Sequence, residues 1–333
     1  MRSKILAVSQ CKINSRLLVL CLVAFMVSCQ SVKSGKVSVL VGDKELWHAT
    51  EAGASWQSKR GPGEGYIESL TKDLHDQRRL LLCRGGIVWM SKNEGRSWGS
   101  AIFKTVEEQG VAATFHPTKP NTLLLATNRR FLISTNGGKD WTAASPGLEF
   151  KWRPLTILVS DMKADRVYVM TRGDGVYRSD DGGNHWMATN SNLPKGIGAA
   201  PVAPIESTVL NPKNPDLVYI AVEARGIYKT VDGGANWIRV SQGLPDTIMY
   251  RTFPWILAID PMNPQRLIVW ASWPVHSDRI DSAFFLSEDG STSWNKIAAD
   301  PAQGRVFAVQ FVDAKVGLAV AITEGGAMVL SNR

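Results

Sequence analysis

Asp174 and Glu223 each fall in a short turn between two apolar runs, Asp278 falls in a long loop over 272–282 at the equivalent place, and Arg84, Arg129, Arg130, Arg172 and Arg225 fall in turns of the same kind. Two carboxyl groups roughly 5 to 10 Å apart suit glycoside hydrolysis, one as acid and the other as base or nucleophile. Asp281 and Glu324 lie in equivalent turns and extend the set. Arginines suit a different chemistry: their forked donors hold carboxylates, phosphates or an acidic protein surface. Trp152, Trp255 and Trp273 sit in neighbouring loops with Phe150, Tyr250 and Phe253. Exposed aromatic rings of this kind stack on sugars or anchor a protein partner.

Other chemistries find little support. The five histidines, His48, His75, His116, His185 and His276, show no metal-ligand spacing. Gly61-Pro62-Gly63-Glu64-Gly65 lacks the Lys-Ser/Thr ending of a phosphate loop. There is no Gly-x-Ser-x-Gly nucleophile motif and no basic, aromatic-interleaved stripe for nucleic acid. No cofactor, no metal and no nucleic-acid partner is expected.

The elements that must position these groups come from a repeat. Aligned on tryptophan, six copies of Ser/Thr-x-Asp/Asn-x-Gly-x-x-Trp follow one another, the first degenerate and ending at Trp56. The others run from Ser91 to Trp98, Ser134 to Trp141, Ser179 through Asp181 and Gly183 to Trp186, Thr230 through Asp232 and Gly234 to Trp237, and Ser287 through Asp289 to Trp294. Successive tryptophans are 42, 43, 45, 51 and 57 residues apart. A period in the forties with loop-sized extras signals a repeat architecture. The residue types fit a tight turn. The hydroxyl and the carboxylate bond nearby backbone, and glycine supplies positive φ. These aspartates are therefore expected to be structural.

Each box follows an apolar run such as Gly175-Val176-Tyr177, which follows another such as Val167-Tyr168-Val169, with a third before that. With the strand after the tryptophan this makes four short strands per unit, A to D. Such units build an all-β fold, a single β-propeller of four-stranded antiparallel blades. Seven B–C pairs but six clear A and six clear D strands predict seven blades with incomplete terminal blades; six blades with a spare hairpin is the alternative.

The sequence resembles the Asp-box (BNR) repeat propellers over residues 36–333, both in its boxes and in the companion turns Asn211-Pro212, Asp260-Pro261 and His116-Pro117. That sialidase-like superfamily includes sialidases, two-propeller xyloglucan-degrading glucanases, sortilin-type receptors and photosystem II assembly factors. The resemblance implies that the box is a structural turn and that enzyme sites lie on the opposite face. A sialidase would need an Arg-Ile-Pro-type motif, and the nearest approach is Arg60-Gly61-Pro62. The xyloglucan enzymes work between two propellers, whereas this chain predicts one.

Residues 1–28 carry Arg2, Lys4, Lys12 and Arg16 and then the apolar run Leu17 to Val27, too short to span a bilayer. They read as a signal peptide. Met26-Val27-Ser28-Cys29 resembles a bacterial lipobox, which implies a lipoprotein acylated at Cys29 with a tether over 29–35. The expected location is extracytoplasmic, in the cell envelope, with a periplasmic or secreted form as the alternative. Membrane contact is expected only through the lipid. Loss of four basic and no acidic residues lowers the net charge from +8 to +4. The basicity is thus largely a targeting feature. Cys83 is left as a lone buried residue, with no disulfide framework.

In a propeller the C–D turns that hold the boxes share a face with the A–B turns. The B–C and D–A loops form the other face. Arg84, Arg129, Arg130, Arg172 and Arg225 would there converge into a positive basin, flanked by the three tryptophans. The leading expectation is a lipid-anchored binding or assembly scaffold for a protein, a carbohydrate or an anionic ligand. The alternative is a glycoside hydrolase using Asp174, Glu223 and Asp278.

Overall fold

Leu80-Leu81-Leu82-Cys83 shows how the core is built. Leu80 and Leu82 pack toward the sheet before theirs, while Leu81 and Cys83 pack toward the sheet after it. Side chains alternate with period 2, so an unbroken apolar run is what a strand buried on both faces requires. Val167 and Val169 face one neighbour and Tyr168 and Met170 the other. Val218, Ile220 and Val222 likewise oppose Tyr219 and Ala221.

The computed structural model describes residues 26–27, 39–41, 44–50, 55–143, 147–245, 255–276, 279–299, 306–313, 318–323 and 326–330. These form seven sheets. Sheet one holds β2 (Val39–Val41), β3 (Leu46–Thr50) and β4 (Ser55–Lys59). Sheet two holds β5 (Ile67–Lys72), β6 (Leu80–Arg84), β7 (Ile87–Ser91) and β8 (Ala101–Phe103), with β1 (Met26–Val27) added beside β5. Sheet three holds β9 (Gly110–Phe115), β10 (Leu123–Thr127), β11 (Phe131–Ser134) and β12 (Thr142–Ala143). Sheet four holds β13 (Pro154–Val159), β14 (Val167–Thr171), β15 (Val176–Ser179) and β16 (Met187–Ala188). Sheet five holds β17 (Ile205–Leu210), β18 (Val218–Val222), β19 (Gly226–Thr230) and β20 (Ile238–Arg239). Sheet six holds β21 (Ile256–Ile259), β22 (Leu267–His276), β23 (Arg279–Ser287) and β24 (Asn295–Ala299). Sheet seven holds β25 (Val306–Asp313), β26 (Leu318–Thr323) and β27 (Gly326–Leu330).

Apart from β1, which pairs in parallel with β5, the strands of each sheet are joined antiparallel in chain order. Six apolar clusters lie between consecutive sheets, from one–two to six–seven. Inner strands contact one another in succession, β5 to β9, β13, β17, β21 and β25. The one helical element among the described residues is a 3-10 turn, Asp161–Lys163, capped by Ser160 Oγ accepting from Met162 N.

Met26 and Val27 pair in parallel with Ser69 and Leu70. The inner edge of β5 presents unpaired backbone groups that a two-residue strand can satisfy. The long loop expected over 272–282 is instead a continuation of the β22–β23 hairpin, with Ser272 opposite Ser282, Trp273 opposite Asp281 and Pro274 opposite Ile280.

Candidate functional site

The register of β5 slips between Ile67 and Ser69, and that of β17 slips between Ile205 and Ser207. A bulge leaves one residue out of the ladder and re-aims its side chain. Here the displaced residues are Glu68 and Glu206, at matching places in two Ile-Glu-Ser segments. Glu206 is 4% exposed, and its Oε2 accepts the Trp255 N–H at 2.9 Å. Burial pushes its carboxyl up to about 8, and the nearby charge of Glu223 adds to the rise. The Trp255 N–H and the Arg172 charge oppose it. Burial likewise raises Glu68 to about 7 against the pull of Arg153, whose Nη2 stands 3.6 Å from Glu68 Oε1. Glu68 belongs to sheet two and Arg153 opens sheet four, so the pair reaches past sheet three.

Arg153 and Arg172 are linked, because the Arg172 N–H donates to the Arg153 carbonyl at 3.0 Å. Burial lowers the Arg172 guanidinium, and Arg153 lowers it further, while Glu206 and Glu223 favour its charge. Its Nη2 is buried without a hydrogen-bond partner among the described residues. Next to it Trp152 covers Gly173, where a Cβ would stand 2.5 Å from the indole ring. Trp152 remains 38% exposed. Asp174 sets this arrangement, its Oδ2 accepting from Lys151 N at 3.1 Å and Trp152 N at 2.9 Å. Charge coupling thus links Glu68 to Arg153, Arg153 to Arg172, and Arg172 to Glu206 and Glu223, with the half-exposed ring of Trp152 beside Arg172. Strongly perturbed carboxyls beside an aromatic face mark a functional-site candidate. Among the described residues no cluster of His, Cys, Asp and Glu could hold a metal ion.

Solved structures of similar shape include the GH74 enzyme of Niastella koreensis, with TM-score 0.68 and 17% identity over 92% of this chain and 52% of that one. The GH74 xyloglucanase of Xanthomonas campestris gives TM-score 0.64 and 18% identity over 91% and 52%. YCF48 of Cyanidioschyzon merolae gives TM-score 0.50 and 10% identity over 86% and 90%. The fold is a β-propeller fold. Among curated proteins, a probable oligoxyloglucan-reducing end-specific xyloglucanase of Neosartorya fischeri is 27% identical over 176 residues, half of this chain. The chain spans 19% of that relative's length and about half of the GH74 structures. No family model matches the sequence.

On this propeller the expected positive basin is largely dismantled. Arg84 is buried and directs its guanidinium to the carbonyls of Gly65, Gly61 and Pro62, at 3.0, 3.2 and 3.5 Å. It ties down the glycine-rich loop and is not free for a ligand. Arg130 pairs with Glu108 at 2.6 Å. Arg225 is half-buried and bonds the Ala224 carbonyl. Arg172 sits among the acids described above. Arg129 alone of the five is exposed without an ion pair among the described residues. A guanidinium carries five donors, so a loop tip rich in carbonyls captures it before solvent does.

The aromatic and acidic expectations also change. Trp255 is buried and its Nε1 donates to Ser272 O at 3.0 Å, so it is core and not a sugar platform. Trp273 packs edge-on to Phe285 at 6.0 Å beneath Lys296. Asp174 is buried and accepts the Lys151 and Trp152 N–H groups, so it positions Trp152. Glu223 falls within the cluster. Asp278, Glu324, Cys29, Tyr250 and Phe253 lie outside the described residues.

The box turns hold themselves. Ser179 Oγ donates to Asp181 Oδ1 at 2.8 Å and accepts the Gly183 N–H at 2.8 Å, while Asp181 Oδ1 accepts the His185 N–H at 2.9 Å. The same set recurs at Thr230, Asp232, Gly234 and Asn236 and at Ser287, Asp289, Ser291 and Ser293. In the Ser91 and Ser134 boxes the third position is Asn93 or Asn136. Trp98, Trp141 and Trp186 each pack against the preceding sheet. Trp141, Trp237 and Trp294 also donate their indole N–H to the preceding unit, at Ile102 O, Thr189 O and Val240 O. Trp186 bonds its own Gly183 O.

Glu68 and Glu206 escaped the sequence reading. A signal existed: Ile67-Glu68-Ser69 and Ile205-Glu206-Ser207 repeat a charged residue inside an inner strand, where a buried acid needs a reason.

Proposed function

We propose that this chain is a glycoside hydrolase acting at the loop end of its inner strands on a neutral oligosaccharide of the xyloglucan class. The observation that carries this reading is a pair of carboxyls raised by burial, Glu68 to about 7 and Glu206 to about 8, joined through Arg153 and Arg172 to Glu223. A carboxyl raised in this way keeps its proton near neutral pH and can serve as an acid. Glu68, only partly buried, is the proton donor. Glu223 is the base or nucleophile. Glu206, too enclosed to meet substrate, keeps the interior short of one negative charge while protonated. Trp152 offers the ring face against which a sugar lies. The xyloglucanase likenesses support the choice of substrate class, and the engagement of Arg84 by loop carbonyls and of Arg130 by Glu108 argues against an anionic one.

The test is release of reducing ends from xyloglucan oligosaccharides by the intact chain. The expected result is turnover that falls at least 100-fold in both Glu223→Gln and Glu68→Gln. Binding without turnover in the unaltered chain would sink the hydrolase in favour of a glycan-binding scaffold. That second reading is favoured by the chain's spanning only half of the GH74 structures.

Three further proposals complete the reading. The seven sheets close as a seven-bladed ring, sheets one and seven meeting at its seam, in keeping with contact between β2 and β25. Residues 1–28 direct export and Cys29 is acylated, which places the propeller in the cell envelope; mass analysis of the mature N-terminus checks both. The box turns are those of the Asp-box repeat.

A further inference from the structure

On the outer wall, between sheets two and three, lies a cavity of about 420 Å³ that shares no residue with the carboxyl cluster. Leu193 and Leu244, from the long loops after β16 and β20, belong to the apolar clusters that enclose Trp237 and Trp294. Those two rings are 1% and 3% exposed. The loop after β8 covers only 104–109, and Trp141 remains half-buried at the cavity wall. Its indole N–H donates to Ile102 O at 2.9 Å, and its ring meets Phe103 edge-on at 6.0 Å and 83°. The ring is therefore fixed before any ligand arrives, which lowers the cost of binding.

The charges around the cavity are unequal in freedom. Arg130 is held by Glu108 at 2.6 Å. Lys104, Lys139 and Glu107 are exposed and form no ion pair among the described residues, so the free charge at the groove is net positive by one. The volume falls in the range of small-ligand sites, about 300–1,000 Å³. The flanking outer strands, β8 with three residues and β12 with two, are too short to add a peptide strand by backbone pairing. A compact ring-shaped ligand fits better than an extended peptide.

We propose that this groove binds a short acidic oligosaccharide, with a sugar face on Trp141 and a carboxylate toward Lys104 and Lys139. The proposal does not rest on hydrolysis at the carboxyl cluster. Calorimetry on the full chain with tetragalacturonate, cellotetraose and tetraglutamate tests it. Tetragalacturonate binds most tightly, and Ala143→Glu and Lys139→Glu each weaken it at least tenfold. Ala143 is exposed on β12 and lines the groove, so its replacement leaves the core untouched. Glu223→Gln leaves this binding unchanged. No binding of tetragalacturonate, or binding indifferent to Ala143→Glu, overturns the site. Loss in Glu223→Gln alone would move the ligand to the carboxyl cluster. Cellotetraose binding as tightly and ignoring Lys139→Glu overturns the carboxylate assignment. Equal binding of tetraglutamate reduces the groove to a general anion patch.

Discussion

Glu206 Oε2 accepts the backbone N–H of Trp255 at 2.9 Å, so a buried acid on the inner strand of sheet five fixes the entry to the inner strand of sheet six. The next residue, Ser207, repeats the tie, its Oγ accepting the N–H of Leu257, two residues beyond Trp255, at 2.9 Å. Sheet-to-sheet packing is thus supplemented by polar bonds at the bulge, where the ladder leaves groups to spare.

Glu206 makes stability depend on pH. Its folded pKa, about 8, lies above the ordinary carboxyl value of 4.5, so between these pH values the folded chain holds a proton that the unfolded chain has released. The contribution is complete below pH 4.5 and is lost as pH rises through about 8. The ceiling on that loss is about 5 kcal/mol. Glu206→Gln keeps an acceptor for Trp255 and removes the ionisation. Denaturant melts from pH 5 to 9 are expected to slope downward in the parent and to flatten in the variant.

In the proposed hydrolase, Glu68 is expected to set an alkaline limb on turnover. Burial raises it to about 7, so a proton donor at this place is fully loaded below that pH and emptied above it. Arg153 lowers its pKa, and removing that charge in Arg153→Met is expected to move the limb of kcat/KM to higher pH. An unmoved limb would separate Glu68 from the chemistry.

Arg84 acts on stability. Replacing it with Met leaves the carbonyls of Gly61, Pro62 and Gly65 without this donor. A cost of about 2–4 kcal/mol is expected in urea unfolding. Turnover per folded molecule is expected to stay within a few-fold.

The fifth box position distinguishes two otherwise similar substitutions. Gly234 has φ +91, and a Cβ there would stand 2.7 Å from Thr189 Oγ1. Ser291 occupies the matching place with φ +75 and already tolerates a side chain. Gly234→Ala is expected to cost about 2–3 kcal/mol. Ser291→Gly is expected to change stability by less than about 1 kcal/mol, because relief of backbone strain offsets a freer unfolded chain. Thermal melts of the two variants check the contrast.

The alkaline and acid ends of the profile are governed by different residues. Asp232 and Asp289 are held down to about 2, chiefly by bonds from Asn236 and Ser293 respectively. Groups depressed in this way support the fold above their ordinary value of 3.8 and lose that support as pH falls toward 2.

The box turns and the strand order were legible in the residues, and the physical reason is locality. Ser179, Asp181, Gly183 and His185 find their partners within seven residues, so spacing alone determines the bonds. The alternation in Leu80-Leu81-Leu82-Cys83 is likewise a property of one strand, and it required sheets on both sides. The fate of Arg84, Arg130 and Trp255 was decided elsewhere, by a glycine-rich loop, by Glu108 and by Ser272, none of which is set by local spacing. Glu206 is the clearest case. As a residue type it belongs on the surface, and only the bulge in β17, the cover of sheet six and the proximity of Glu223 and Arg172 make it a buried acid. Hydrogen bonds that close within a turn are determined by sequence, whereas burial, charge coupling and the freedom of a side chain depend on what the folded chain brings beside it.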